Sequence, residues 1–268
     1  MTRTWILAVA MLALPRLAQA QAATVSFIEG SAQRIPQGGG AGPGSGPGSR
    51  SADGGAPPIM LAVGQALSVG DTIQTSVGTH VKLALPDGSV LVVAPESELV
   101  LDEVRFADGK REAFSLKLLV GKVFAKVAKA VGGSDARFQV STQRAVAGVR
   151  GTIFRVDAIP APGERTRQAR SFPQATTNDL SRTLVRVREG KVGVEAEVRK
   201  RKGKPAVRPT GPRREVAGPK EVDVEEWEKR FVELQANQQV EVGPSGLRQT
   251  RFNPTKKDAF DRFVDEHP

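Results

Sequence analysis

Ala147-Gly148-Val149-Arg150-Gly151-Thr152-Ile153-Phe154-Arg155-Val156 decides the fold of this chain. Thr152, Phe154 and Val156 fall on one side of an extended backbone and Ile153 and Arg155 on the other, the period of two that a half-buried strand requires. A glycine, Gly151, stands at the corner just before the strand. The same arrangement recurs in both directions. Phe114, Leu116, Leu118 and Val120 share a face, Gly121 interrupts, and Val123, Ala125 and Val127 continue it against Lys122 and Lys126. Leu184 to Val187 and Lys191 to Val194 flank Glu189-Gly190, and Leu67 to Ile73 turns at Gly70. Asp87-Gly88 between Val81–Leu85 and Ser89–Val93 is a strong hairpin pattern. Ser89 to Ala94 is apolar on both faces, which predicts a central strand.

These short alternating runs, with turns every ten to fifteen residues, predict an all-β fold, a β-sandwich or a short rolled sheet. The spacing is too uneven for a propeller or regular solenoid. Thr24 to Ile35 reads as an opening hairpin around Gly30. Asp223, Glu226, Trp227 and Phe231 have the spacing of a capped helix. Val232 to Val242 reads as a hairpin turning near Asn237, and the tail predicts a short helix carrying Phe260, Phe263 and Val264.

Met1 to Ala20 reads as a secretory signal peptide, with Arg3, an apolar run from Trp5 to Leu14, and Ala18-Gln19-Ala20 before the cut. Its apolar run is shorter than the roughly 20 residues of a spanning helix. The expectation is a periplasmic or secreted protein without a transmembrane span after cleavage. Gln37 to Pro58 is a Gly/Pro-rich segment that buries almost nothing. It reads as an insertion within a single β domain over 21–245, followed by a tail over 246–268.

The chain has no Cys and 2 His, His80 and His267. That excludes thiolate nucleophiles and Cys-ligated zinc, and leaves no Ser-His geometry for a triad. Asp87, Glu96 and Glu98 form no Asp-x-Asp-x-Asp-Gly loop, so neither a metal nor another cofactor is expected. Net charge is +10, concentrated between Leu180 and Lys220. The basic loop, 199–218, carries Arg199, Lys200, Arg201, Lys202, Lys204, Arg208, Arg213 and Arg214 among Gly and Pro. These cations fit an anionic envelope polymer or an acidic protein face. Nucleic acid is not expected, since the loop has no aromatic residue for stacking. Arg150, between Gly148 and Gly151, is a further binding candidate whose fork suits a partner carboxylate, or else ties down turn carbonyls.

The order of these pieces resembles the FecR domain family. The matching stretches are Val69 to Thr75, Pro86 to Ser89, Pro95 to Leu99, Leu118 to Val123, Phe138 to Thr142 and Val149 to Val156. Arg188 to Val192 and Asn237 to Gln239 follow as trailing hairpins. The likeness is close over 60–160 and looser over 24–243. It implies an exported, non-enzymatic module that binds or scaffolds in the bacterial cell envelope. A periplasmic signalling module contacting an outer-membrane transporter or a sensor is the second implication. A rival reading apart from the resemblance, an envelope carbohydrate-active enzyme, is disfavoured by 5% aromatic content and the absence of Tyr.

Overall fold

The computed structural model describes residues 22–37, 57–108, 110–129, 137–160, 181–199, 227–244 and 246–267. The expected signal peptide, most of the Gly/Pro-rich segment and the expected basic loop from Lys200 onward lie outside these residues.

Two β layers share one strand. That strand, β9 (Lys110–Lys126), is long enough to serve both. Residues 110–120 pair with β8 (Glu98–Ala107) and, in parallel, with β10 (Arg137–Ser141). Residues 121–126 pair antiparallel with β7 (Val90–Val93) and β12 (Ile153–Ile159).

The first layer also holds β1 (Ala23–Glu29), β4 (Ala66–Leu67) and β6 (His80–Ala84) on the β7 side. Beyond β12 it continues through β13 (Arg182–Glu189), β16 (Gln238–Gly243) and β17 (Gly246–Arg251). The second layer runs from β3 (Ile59–Met60) through β2 (Ala32–Ile35) and β5 (Thr72–Thr75) to β8. On its other side, β11 (Ala145–Val149), β14 (Lys191–Arg199) and β15 (Trp227–Gln235) follow β10. The described residues are therefore all-β, with one short helix, α1 (Ala259–Glu266), on the outer face of the first layer.

Inward positions of both layers form one core, with Phe114 stacked on Phe138 at 4.9 Å and Phe138 edge-on to Phe154 at 6.2 Å. Thr152, Phe154 and Val156 all point into it, as their alternation requires. The strand Val90–Val93 is central, covered inside by the core and outside by α1.

The glycine corners do a different job from the expected one. The expected turns at Gly30 and Glu189-Gly190 are not hairpins, since β1 does not pair with β2, nor β13 with β14. Each is a passage from one layer to the other. Every change of layer within the described residues passes a residue of positive φ: Gly30, Gly64, Gly70, Gly78, Glu96, Gly121, Gly151, Gly190 or Asn237. A left-handed residue reverses the local twist and lets the chain fold over a layer edge, and glycine does this without a Cβ clash. Gly121 is the extreme instance. It bends β9 without ending it, at φ 96°, and a Cβ there would stand 2.5 Å from the Ser97 Cα. The Ser97 Oγ occupies that space and accepts from the Lys122 amide at 3.0 Å.

The helix expected around Trp227 and Phe231 is a strand. Residues 227–235 pair in full with β14, from Arg199↔Trp227 to Lys191↔Gln235. Nine cross-strand partners outweigh an i, i+4 spacing that has no face to bury.

Gly64 and Gly121 both hold positive φ, but a Cβ on Gly64 meets nothing within 4 Å. Urea unfolding is expected to show Gly64→Ala losing about 1–2 kcal/mol from backbone strain. Gly121→Ala adds overpacking against Ser97 and should lose at least ~3 kcal/mol. Equal losses for the two variants would contradict the layer-crossing role of Gly121.

Candidate functional site

One cross-strand row spans the outer face of the first layer. Strand pairing places Phe27, Lys82, Val92, Phe124, Arg155, Arg186, Gln239 and Thr250 side by side on successive strands. The row is apolar toward β1 and polar toward β17. Helix α1 lies over the apolar half, where Phe260, Phe263 and Val264 pack on Val92, Ala94 and Phe124.

The helix is fixed at its start by charge. Asp258 is the N-cap. Its side chain accepts from the Asp261 amide at 2.9 Å, and the Asp261 carboxylate reaches back to the Asp258 amide, a full capping box. Both carboxylates also meet Arg155, whose side chain is 2% exposed. Arg155 donates from Nε and one terminal nitrogen to Asp157, at 2.6 and 2.9 Å, and to Asp258 at 3.0 Å. It stands 3.1 Å from Asp261. Its guanidinium also lies over the Phe260 ring at 5.3 Å.

Burial opposes the charge of Arg155, but its bonds to Asp157 and Asp258 prevail and hold its pKa above the usual arginine range. Burial likewise opposes ionisation of Asp258, and the bond from Arg155 prevails, holding that carboxyl well below the usual range. Arg188 donates to Asp261 at 2.9 Å and to Asp265 at 2.8 Å, and covers Phe124 at 5.1 Å. Lys257 meets Asp265 at 2.8 Å.

Both histidines belong to the helix contact. Phe263 has the His80 ring stacked 3.8 Å away at 11° and the His267 ring 4.4 Å away. Burial pushes the His80 pKa below 6.5; Glu29, 3.5 Å away, opposes this and His267 adds to it.

Where the polar half of the row passes beneath residues 252–258, a half-open cleft of about 510 Å³ forms. Arg155, Arg186 and Arg188 line it from the sheet with Gln239, and Phe252, Asn253, Pro254, Lys256 and Lys257 from the covering segment.

The sequence-derived candidates lie elsewhere. Arg150 is exposed in the turn between β11 and β12. Arg199 does not open the basic loop but ends β14, paired with Trp227. Lys200, Arg201, Lys202, Lys204, Arg208, Arg213 and Arg214 lie outside the described residues. Asp87, Glu96 and Glu98 do not converge. Asp87 caps its own turn through Ser89 and pairs with buried Arg111. Burial raises the Glu98 pKa against a bond from Gln74. Glu96 occupies a positive-φ corner. Among the described residues no group of three or more His, Asp or Glu is placed to hold a metal, and no helix is long and apolar enough to cross a membrane. Sequence reasoning missed the Arg155–Asp258 cluster. The pattern that marks it is Arg155-x-Asp157 and Arg186-x-Arg188 on strands, answered by Asp258, Asp261 and Asp265 on one helix.

Residues 71–193, from the head of β5 into β14, match the family model described as FecR protein. The chain carries a FecR domain. Arg155, Arg186 and Arg188 fall inside that FecR segment, whereas Gln239, the 252–258 segment and α1 lie beyond it. No curated protein matches the chain. Two crystal structures of a "putative anti-sigma factor" from Parabacteroides distasonis ATCC 8503 share 18% identity with it, at a TM-score of 0.42. The match covers 69% of this chain and 61% of that one.

Two predictions follow from the charge cluster and the ring stack. Asp157 is nearly as buried as Arg155, while Asp258 is 41% exposed. Asp157→Asn leaves a buried cation short of its inner partner and should cost about 3–5 kcal/mol in chemical denaturation. Asp258→Asn keeps much of the cap and should cost about 1–2 kcal/mol. The reverse order would show that the helix, not the strand, holds Arg155.

The His80 pKa is lowered by folding, so the unfolded chain binds that proton more readily. Its stabilising contribution is complete above 6.5 and falls away as pH drops below that value. Asp258 and Asp265 are held below 3.8 and act only in stronger acid. Thermal unfolding of the parent chain should therefore show a Tm decrease between about pH 7 and pH 5 that His80→Phe reduces. An unchanged decrease in that variant would remove His80 as its source.

Proposed function

We propose that this FecR-domain chain is an exported, non-enzymatic module that binds or scaffolds in the bacterial cell envelope. The FecR match supports a signalling-related module. The observation that carries the binding reading is the placement of the strongly perturbed charges. Arg155 and Asp258 are both committed to docking α1 on the sheet, and Asp265 pairs with Arg188 beside them. Catalytic groups are instead left poised, close to the reacting atoms and with a pKa near the working pH. Among the described residues, strand surface and Arg150 face outward; the cation-rich run of 200–214 is known from its sequence. In this reading the run supplies charge steering toward an anionic envelope polymer or an acidic protein face.

A second reading, contact with an outer-membrane transporter or a sensor protein, draws on β15. Its far edge pairs with no strand among the described residues, and Phe231 on it is 71% exposed. An aromatic anchor on a sheet-edge strand suits a protein partner better than a polymer.

Deleting 200–214 tests the first reading. The deleted form is expected to keep the parent Tm within a few degrees and to leave an anionic-polymer column at distinctly lower salt, because each lost contact lowers the salt dependence. Equal retention of the two forms would defeat charge steering by this run.

A further inference from the structure

We propose that the cleft beneath residues 252–258 is a binding site for one oxyanion group, a carboxylate or a phosphate ester, with Arg186 as its fork. The inference goes beyond the envelope reading and does not depend on the basic run.

Arg186 is the cation that the surrounding carboxylates leave out. Asp157, Asp258 and Asp261 meet Arg155, Asp261 and Asp265 meet Arg188, and Asp265 also meets Lys257. Among the described residues Arg186 donates to a neutral acceptor, Gln239 Oε1, at 3.3 Å, and meets no carboxylate. The Gln239 amide nitrogen donates to Thr250 Oγ1 at 3.0 Å, which fixes the orientation of the amide. The strand register sets Arg186 directly opposite Arg155. Arg155 already holds its carboxylates, so of this cross-strand pair Arg186 is the guanidinium left able to take an anion. Lys256, at the exposed rim of the same cleft, also pairs with no carboxylate among the described residues.

The volume of about 510 Å³ falls within the range of small-ligand clefts. A planar guanidinium fork recognises a carboxylate or phosphate through two parallel bonds. Phe252 and Pro254 offer an apolar wall to the body of the ligand, while Lys256 adds charge at the mouth. Asp258 and Asp261 face the cleft already neutralised by Arg155 and Arg188, so they repel an entering anion little.

The test is titration of the purified full chain at low ionic strength with inorganic phosphate and, separately, with galacturonate, followed through backbone amide shifts. Saturable shifts at Gln239, Phe252 and Lys256 are expected, and the tighter probe identifies the source of the oxyanion. Arg186→Gln should weaken binding about tenfold, the worth of a charge-assisted bond. Arg248→Gln removes the same charge from an exposed site on β17 and should change it less than about twofold. Arg186→Lys keeps the charge without the fork and should fall between parent and Arg186→Gln. It also serves if the Gln variant fails to fold. Shifts that never saturate with either probe, or equal weakening by the 186 and 248 variants, would overturn the site.

Discussion

A buried guanidinium on the outside of a sheet is the constraint from which the rest of this molecule's outer face follows. Arg155 sits where an exposed strand residue would ordinarily meet water. Burying its charge without partners would cost several kcal/mol. Asp157, two residues along the same strand, offsets part of that cost but leaves one terminal nitrogen unsatisfied. Asp258 and Asp261 complete the shell, and they can do so only if the helix begins directly above β12. Once its start is pinned there, Phe260 and Phe263 fall on the apolar half of the row and the preceding residues must bridge the polar half. The cleft is what that bridge leaves uncovered.

The layers beneath obey a second constraint. A single strand that pairs with neighbours in both layers must change layer without losing its ladder. Gly121 permits this because the space a side chain would need is occupied by Ser97, whose hydroxyl accepts from the very next amide. The corner is thus locked by a hydrogen bond that only a glycine leaves room for. The same logic explains why Thr79 takes up the space beside Gly30. Its hydroxyl accepts from the Ser31 amide at 2.9 Å and donates to the Ser31 carbonyl at 3.0 Å. Positive φ accompanies the changes of layer within the described residues, and at Gly30 and Gly121 a neighbouring hydroxyl fills the missing side chain's place.

Much of this was legible in the sequence. Period-two runs from Val81 to Val127 name core residues correctly, and the doubly apolar Val90–Val93 announces its central position. The tail helix is readable because Phe260, Phe263 and Val264 share one helical face. What was not legible is pairing. A glycine reports that φ is positive, which is local, but not whether the next strand returns to the same sheet or crosses to the other, which depends on residues far along the chain. Hence Gly30 and Gly190 read as hairpin turns. Residues 223–231 failed for a related reason. Acidic residues and a Trp227–Phe231 spacing satisfy helix rules locally, yet β14 offers a full-length partner, and ladder bonds decide. The Arg155 cluster was hidden because an arginine at an outward strand position looks solvated until a helix 100 residues later covers it.

The division of the cleft between two parts of the chain bears on how such a site would vary. Its floor of arginines stands on β12 and β13, within the segment that matches FecR, where strand register and core packing hold each side chain in place. Its roof, Phe252 to Lys257, joins β17 to α1 and lies outside that segment. A floor residue such as Arg186 cannot be moved without shifting the register of two pairings, whereas a connecting segment tolerates changes in length and composition far more readily. The geometry therefore separates what recognises charge, which is fixed by the sheet, from what shapes the rest of a ligand, which is free to change while the sheet stays as it is.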